Sequence, residues 1–415
     1  AAGLAAALTP TAARLVDVLG EMKGAATKLG QFLAMMDQDI FPDEARKVLT
    51  RLLSQTPQRM EWPTVRGVIA AELGDNLDAI FASIDEVPLA SASMGQVHAA
   101  RLVDGSDVVI KVQFPGVDEA IDADLRNVAV LAKGLSVAGG ILDRREYVEE
   151  LATVLRRELD YREEVIQLEA FRLAAAPWPE LVVPRAWPAH TTRRVLVLER
   201  LHGPSLLDLA QGDAADAETR LAIATKLVDA IWGPFLRQGL VHADPHPGNY
   251  VALADGRLGV LDFGATRQLS DAFVLAYWHV IAAIRDDRKL RLIDVLTDSG
   301  FTFTGDKERM ERWLQGLADI VERPVRSDHY DWSTCRITAD VIRHKTVDIG
   351  AVMRVRPPLE SLMFYRAAAG GAGDLRMIGA AGDFRTILID VAERARGHLP
   401  ERLQGPVEAV WNPTR

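Results

Sequence analysis

The stretch LVHADPHPGNYVALADGRLGVLDFG, residues 240–264, decides the fold of this chain. Asp244 precedes Asn249 by five residues, and an Asp-Phe-Gly triplet begins at Asp262. Two carboxylates and an amide at this spacing are what phosphoryl transfer from a nucleotide requires. Asp244 can accept or orient a hydroxyl proton, while Asn249 and Asp262 can hold Mg²⁺ against the phosphates. The stretch therefore indicates a nucleotide site.

A β-hairpin is predicted inside this stretch. Two short apolar runs, residues 249–253 and 258–261, are joined by the dipeptide Asp255-Gly256. Asp-Gly between apolar runs is a strong signal for a two-stranded antiparallel turn. Asp262 then follows the second strand directly, which would present its carboxylate at the end of the hairpin.

A zinc site is the alternative that the same residues leave open. His242, Asp244 and His246 alternate along the chain, and alternate residues of a strand share a face, so that three ligands could converge. Pro245 and Pro247 favour a loop instead, because proline lacks the N–H group that a sheet needs. The Asp-x-x-x-x-Asn spacing followed by Asp-Phe-Gly favours the nucleotide interpretation.

Composition limits the class of protein. The 415 residues, 48% hydrophobic and 26% charged, suffice for one large or two medium domains. The net charge of −10 argues against a nucleic-acid-binding protein. Cys335 is the single cysteine, which excludes an internal disulfide and suits a reducing compartment. The apolar stretch 128–142 is too short to span a bilayer. We expect a cytoplasmic protein, with peripheral membrane association as an option.

A loop rich in alanine and serine precedes the predicted strand at residues 97–102. An Asp104-Gly105 turn then leads into a second strand at residues 107–113. Small residues in such a loop let backbone N–H groups approach phosphates, although alanine makes the loop stiffer than glycine would. The residues expected to contact the nucleotide here are Ala90, Ser91, Ala92 and Ser93.

Lys111 lies within the second of these strands, in the run Val-Val-Ile-Lys-Val. A lysine there either marks an exposed edge strand or points into a charged site. The downstream Asp-Phe-Gly favours a lysine that contacts phosphate and needs a carboxylate partner. The nearest dense set of acidic residues lies on a helix predicted over residues 144–175. An ordinary exposed helix would carry such acidic residues too. The members of the set are Glu158, Asp160 and Glu164.

Two further segments carry candidate residues. The strand at residues 194–198 runs into Glu199-Arg-Leu201, a predicted hinge whose backbone could bind an adenine edge. Lys28 and Gln31 share one face of a predicted N-terminal helix, and by spacing alone an ordinary exposed helix face is the better explanation for them. Neighbouring apolar residues on that helix could face a protein core or a lipid interface. They are Phe32, Leu33, Met35 and Met36.

The segments in order resemble the ABC1/UbiB family of atypical kinases, also described as the ADCK, COQ8 or AarF type, over residues 23–383. The resemblance changes the interpretation of Lys28 and Gln31, because Lys-x-Gly-Gln is the family's signature. The matching motifs are Lys28-Leu-Gly30-Gln31, the alanine-rich segment from Ala90 to Val97, Lys111, Glu158-Leu-Asp160, Glu164, His242 to Asn249, and Asp262 to Gly264.

The resemblance implies an α+β, protein-kinase-like bilobal fold. An N-terminal helical extension, residues 1–85, would be followed by an N-lobe at 86–200 and a largely helical C-lobe at 201–400. Residues 401–415 are expected to form an irregular tail. We expect helices from Asp271 to about His398, with a break at Gly370-Gly371 and Gly373.

The resemblance also implies roles for individual residues. Lys111 would position the α- and β-phosphates of ATP and pair with Glu164, and Asn249 and Asp262 would bind Mg²⁺. Asp244 would be the catalytic-loop carboxylate. Lys28 would lie near the phosphates as a further catalytic residue, and it would also belong to a regulatory motif. The other members of that motif are Gln31, Glu158 and Asp160. The cofactors are then ATP and Mg²⁺, and the partner is a lipid or a molecule resembling a quinone precursor.

Two rival functions remain open on the sequence. A small-molecule kinase of the aminoglycoside-phosphotransferase type carries a similar loop and would phosphorylate a polar acceptor. A nucleotide-binding regulatory module would bind ATP with little turnover and act through a partner. All three interpretations share the ATP site and differ in what the bound nucleotide is used for.

Overall fold

The structure is a computed structural model. The residues that it describes are 59–92, 94–122, 153, 156–211 and 216–412. These residues form two compact units. The first reaches Val165 and includes Arg185–Arg200, and the second comprises Ile166–Pro184 and the chain from Leu201 onward. The division after Arg200 falls where the C-lobe was predicted to begin. Residues 166–184, expected in the N-lobe, instead group with the second unit.

Strands and helices together give the α+β architecture that was predicted. The strands are β1 (Phe81–Ile84), β2 (Ala90–Ala92), β3 (Gly95–Leu102), β4 (Asp107–Gln113), β5 (Leu181–Val182), β6 (Val195–Glu199), β7 (Leu240–His242), β8 (Tyr250–Ala252), β9 (Leu258–Val260), β10 (Thr266–Gln268), β11 (Thr302–Phe303), β12 (Tyr330–Asp331), β13 (Val355–Arg356) and β14 (Ala381–Gly382). The α-helices are α1 (Trp62–Leu73), α2 (Tyr161–Ala174), α3 (Leu206–Gln211), α4 (Ala217–Gln238), α5 (Asp271–Arg285), α6 (Leu292–Asp298), α7 (Lys307–Val321), α8 (Arg323–Arg326), α9 (Ile337–Val347), α10 (Ile349–Val352), α11 (Glu360–Met377), α12 (Phe384–Arg396) and α13 (Glu401–Trp411).

The first unit is organised around an antiparallel sheet with strand order β1–β3–β4–β6, in which β2 also pairs with β3. Alternate residues of β4 face opposite sides of this sheet. Val108, Ile110 and Val112 are fully buried and form a core with Val65 and Ile69 of α1. Lys111 therefore lies on the face away from that core.

The second unit positions β7 through a long helix. Asp216 caps the N-terminus of α4 by accepting a hydrogen bond from the Thr219 N–H. Gly239 ends the helix with a φ of 82°, a left-handed conformation that glycine adopts without a Cβ penalty. The chain turns there into β7, which pairs antiparallel with β10. The start of the loop after β7 is thus held in place by α4, which is partly buried, and by the pairing of β7 with β10.

The break predicted in the C-lobe helices at Gly370-Gly371 and Gly373 is wrong, because α11 runs through all three glycines. A Cβ at Gly370 would lie 2.0 Å from the Cγ of Pro245, and one at Gly371 would lie 2.2 Å from the Cδ1 of Ile231. Two of the glycines therefore serve close packing rather than a change of chain direction.

The irregular tail predicted at residues 401–415 is also wrong, because Glu401–Trp411 form α13. The helix buries Leu403, Val407, Val410 and Trp411, which recur at helical spacing. The Trp411 ring makes an edge contact with Trp278 of α5, with 5.2 Å between the ring centroids. This burial outweighs the cost of having Gly405 and Pro406 within the helix.

The helix predicted at residues 144–175 is interrupted within the part of this range that the structure describes. Glu158 ends a helical turn, Leu159 and Asp160 leave the helix, and α2 begins at Tyr161. The Asp160 carboxylate accepts a hydrogen bond from the Arg162 N–H at 3.0 Å, which suits a residue that starts a helix.

Among the described residues, no helix is both long and apolar enough to cross a membrane.

Candidate functional site

The hairpin predicted from Asp255-Gly256 is present as β8 and β9, with Tyr250 opposite Val260 and Ala252 opposite Leu258. Residue 249 ends a short 3₁₀ turn just before β8. The Leu261 N–H donates a hydrogen bond to the Asn249 carbonyl at 2.7 Å. This bond ties Asn249 to the residue immediately before Asp262, so the two predicted metal ligands are held on neighbouring strand ends.

Asp244 lies in the loop between β7 and this hairpin. The Asn249 Nδ2 group donates to the Asp244 carbonyl at 3.0 Å and to its Oδ2 at 3.3 Å. The amide nitrogen of Asn249 is thus directed at Asp244, which leaves the amide oxygen as the atom that could bind a metal ion. Carboxylate and amide oxygens are the ligands that Mg²⁺ prefers, so Asn249 and Asp262 have the right chemistry for that ion.

Asp262 has a left-handed backbone, with a φ of 59°, which is uncommon for a residue other than glycine. Its carbonyl accepts a hydrogen bond from the His242 Nε2–H at 2.7 Å. Phe263 is fully buried and packs against Phe171 and His242, with ring centroids 5.3 and 5.5 Å apart. These contacts fix the strained turn and so fix where the Asp262 carboxylate lies.

The zinc alternative receives no support from this geometry. His242 is buried, and its Nε2–H group donates hydrogen bonds to the backbone carbonyl groups of Leu261 and Asp262. The His246 Nδ1 atom accepts a hydrogen bond from the Gly248 N–H at 3.0 Å. Across the described ranges, no cluster of three His, Cys, Asp or Glu side chains could hold a metal ion. His242 instead acts as a structural residue behind Asp262, a role that its position two residues before Asp244 does not reveal.

The ion pair predicted between Lys111 and Glu164 is present in the first unit. The Lys111 Nζ donates to both Glu164 oxygens, at 2.8 and 3.1 Å, and both residues are less than a tenth exposed. Lys111 also lies over the Tyr161 ring, 5.6 Å from its centroid. β4 lies between β3 and β6, so Lys111 is not an edge-strand lysine.

The alanine-rich segment differs from the open loop that was expected. Ala90, Ser91 and Ala92 form β2, which pairs with the start of β3, and Ser93 lies outside the described residues. A Cβ at Gly95 would lie 2.0 Å from the Val112 carbonyl oxygen, so glycine lets β3 and β4 approach closely there. The segment is therefore one strand of a hairpin, and part of the β2 backbone is hydrogen-bonded to β3.

The remaining predicted residues are spread over both units. Glu158 is partly buried at the end of its helical turn. The guanidinium of Arg162 binds the Asp160 carboxylate at 2.6 Å, which lowers the pKa of Asp160. Glu199 ends β6, and Leu201 is the first residue of the second unit's main segment. Lys28 and Gln31 lie outside the described residues, as do Phe32, Leu33, Met35 and Met36.

Two ionisable residues beside Asp244 were not predicted from the sequence. The Arg366 Nη2 atom donates to the Asp244 Oδ1 at 2.6 Å, and both side chains are largely buried. Asp374 is buried, and burial, with a smaller contribution from the Asp244 charge, raises its pKa to about 8. The available signal was that Arg366 and Asp374 lie eight residues apart in α11, on one helix face with Gly370 midway between them.

Comparison with known proteins agrees with this geometry. The model of the ABC1 atypical kinase-like domain matches residues 51–295. The mitochondrial atypical kinase COQ8 of Saccharomyces cerevisiae is 33% identical over 86% of this chain and 71% of its own length. The probable protein kinase UbiB of Xylella fastidiosa is 33% identical over 68% of this chain and 52% of its own. The chain thus spans about half of the bacterial relative.

A solved structure extends the similarity to the fold. The complex of Rv3197 with erythromycin from Mycobacterium tuberculosis shares 27% identity with this chain. The two superpose with a TM-score of 0.64, over 93% of this chain and 97% of the other. The protein-kinase-like α+β fold that was expected is therefore confirmed.

Proposed function

The chain belongs to the ABC1 atypical kinase-like family, and on that premise we propose that it binds Mg·ATP and serves isoprenoid quinone or other lipid metabolism. It is accordingly an ATP-dependent enzyme of the atypical kinase class. The observation that carries the proposal is the joint placement of Asp244, Asn249 and Asp262 on one loop and hairpin of the second unit. A carboxylate, an amide and a second carboxylate in that arrangement suit a metal-bound triphosphate.

The first unit contributes Lys111. Its ammonium group binds the α- and β-phosphates in this proposal, while Glu164 fixes the lysine side chain from the other side. Backbone N–H groups of residues 90–93 cover the phosphates, and the chain at Glu199 and Leu201 contacts the adenine. Lys28, Gln31, Glu158 and Asp160 regulate access to the nucleotide.

The second unit contributes the metal ligands and the acceptor group. Asn249 and Asp262 would hold Mg²⁺ through their side-chain oxygens, and the ion would supply positive charge beside the phosphoryl oxygens. Asp244 orients the hydroxyl of an acceptor or a water molecule and takes its proton. The buried His242 and Phe263 keep Asp262 in place throughout.

The acceptor is proposed to be a lipid or a molecule resembling a quinone precursor. Support comes from the relatives, which are named COQ8 and UbiB, and from the family's association with isoprenoid quinone synthesis. A macrolide is a second candidate ligand, because the similar Mycobacterium tuberculosis structure is a complex with erythromycin. A polar metabolite acceptor and a non-catalytic regulatory role remain the alternatives to be tested.

Measuring ATP hydrolysis and phosphate transfer under five conditions separates these functions. The additions are none, an isoprenoid-substituted phenol, erythromycin, a mixture of polar metabolites and neutral lipid vesicles. Faster turnover with the phenol or vesicles would support the quinone or lipid proposal. Stimulation by erythromycin alone would favour the macrolide, phosphorylation of a polar metabolite would favour the small-molecule kinase, and binding without turnover would favour the regulatory module.

A further inference from the structure

One face of α11 lies against the loop that carries Asp244. Arg366, Gly370 and Asp374 are spaced four residues apart and therefore share that face. Arg366 binds the Asp244 carboxylate at 2.6 Å, and the side chains of the pair are only 9% and 15% exposed. Asp374 is buried on the same face, and burial together with the Asp244 charge raises its pKa. α11 lies beyond residue 295, where the family match ends.

Burial makes the Arg366 contact energetically important. A carboxylate removed from water is costly unless it is paired and hydrogen-bonded. The loop from Leu240 to Asn249 contains no lysine or arginine that could supply a positive charge. Arg366 supplies one from outside the loop and binds Oδ1, while the neutral amide of Asn249 binds Oδ2. The orientation of the carboxylate is thereby set from two sides.

Gly370 shows how closely the helix approaches. A Cβ at this position would lie 2.0 Å from the Pro245 Cγ and 2.7 Å from its Cβ, distances that require the loop or the helix to move. At Gly373, three residues along the same helix, a Cβ would meet nothing within 4 Å. Glycine is less favourable than alanine within a helix, and the close approach to Pro245 gives a steric reason for glycine at position 370.

We propose that α11 holds the catalytic loop in position, with Arg366 as a positioning residue that fixes the Asp244 carboxylate and Gly370 as the point of closest contact. The inference rests on the proposed role of Asp244 as the acceptor-orienting carboxylate. Arg366 acts through Asp244, so its loss affects the chemical step more than ATP binding. A shift of about 1 Å in a catalytic group can lower a rate by about 100-fold.

Steady-state ATP turnover of four variants of the full chain tests the proposal. They are Arg366→Gln, Arg366→Lys, Gly370→Ala and the matched control Gly373→Ala. We expect kcat to fall by about 100-fold in Arg366→Gln and Gly370→Ala while the KM for ATP stays within about twofold. Arg366→Lys should recover part of kcat because it restores the charge without the same geometry. Gly373→Ala should turn over ATP like the wild type.

A thermal-unfolding cycle provides a readout independent of activity. Asp244→Asn and Arg366→Gln are compared singly and together, and a direct pair predicts that the double variant loses less stability than the sum of the single losses. Additive losses, or wild-type kcat in both Gly370→Ala and Arg366→Gln, would overturn the inference. If the wild type neither binds nor hydrolyses ATP, the proposed function fails instead, and the cycle still decides whether Arg366 holds Asp244.

Discussion

At the scale of single residues, the buried pair of Lys111 and Glu164 is the clearest charged contact in the first unit. Removing one partner of a buried ion pair typically costs about 3–5 kcal/mol, because the remaining charge loses its nearest opposite charge, whereas two apolar replacements can be nearly neutral. We predict that Lys111→Met and Glu164→Met each lower the free energy of unfolding by several kcal/mol, and that the double variant regains much of the loss. Denaturant titration measures all three.

Arg257→Met provides the control for that comparison. Arg257 pairs with Asp255 at 2.7 Å, but both side chains are about half exposed, so water screens the pair and its loss should change stability little. If the double variant at Lys111 and Glu164 is as unstable as the sum of the single variants, the pair is not coupled as described.

Asp262 combines an unusual backbone with a predicted chemical role. Backbone strain persists only where the surroundings enforce it, and here His242 holds the Asp262 carbonyl while Phe263 is buried beside it. Asparagine also tolerates a positive φ. Asp262→Asn therefore changes the charge of the side chain while preserving its backbone, and this is the variant that tests the metal role cleanly.

At the scale of secondary-structure elements, the β2–β3 hairpin is the predicted phosphate cover. Glycine frees φ and weakens the strand. We predict that Ala92→Gly changes the affinity for ATP or the preference for ATP over ADP, because the hairpin then closes differently over the phosphates. Calorimetric titration of both nucleotides measures this. Identical ATP and ADP affinities in the variant and the wild type would count against β2 as part of the nucleotide site.

The buried Asp374 of α11 makes stability depend on pH. Its pKa is about 8 in the folded protein, against an ordinary value of 3.8, because burial disfavours the charged form. Between these values the folded state binds more protons than the unfolded state, so stability falls as pH rises, by at most about 1.4 kcal/mol per pH unit. We predict that Asp374→Asn flattens the decline of melting temperature between pH 5 and 8.

The melting temperature of Asp374→Asn should still decline somewhat as pH rises, because burial also raises the pKa of Asp229 to about 7. The informative quantity is therefore the difference between the two pH profiles. Parallel profiles for the wild type and Asp374→Asn would show that Asp374 is ionised in the folded protein.

The elements also show where sequence patterns were sufficient. The β8–β9 hairpin was predictable because Asp255-Gly256 and the flanking apolar runs are local signals. α11 and α13 were misjudged because glycine and proline usually interrupt helices, whereas here Gly370 packs on Pro245 and Trp411 packs on Trp278. Those contacts join residues far apart in sequence, and no local pattern reports them. The contact of Arg366 with Asp244 also joins residues far apart in sequence, so it could not be predicted from a local pattern.

At the scale of the whole molecule, the proposed lipid acceptor raises the question of membrane binding. The net charge of −10 opposes attraction to anionic lipid, so binding would depend on apolar contact or a local basic region. We predict weak, reversible association with neutral vesicles, accompanied by faster ATP turnover. Liposome flotation coupled to an ATPase assay measures both. A protein that stays unbound at every lipid composition, with unchanged turnover, would direct the search to a water-soluble acceptor.

The candidate site was predictable from the sequence to a different extent in each unit. Asp244, Asn249 and Asp262 lie within one short stretch, so their spacing alone suggested their association. The pairing of Lys111 with Glu164 joins residues more than fifty positions apart and depended on a family resemblance. The roles of Lys28 and Gln31 stay predictions of that resemblance.

We propose above that this chain holds ATP through Mg²⁺ bound by Asn249 and Asp262. Equilibrium titration of ATP into the full chain, with Mg²⁺ or with a chelator present, tests it most directly when wild type and Asp262→Asn are measured side by side. We expect Mg²⁺ to strengthen ATP binding to the wild type, and we expect Asp262→Asn to lose this gain while keeping its melting temperature. Equal Mg²⁺-dependent affinity in the two proteins would contradict it.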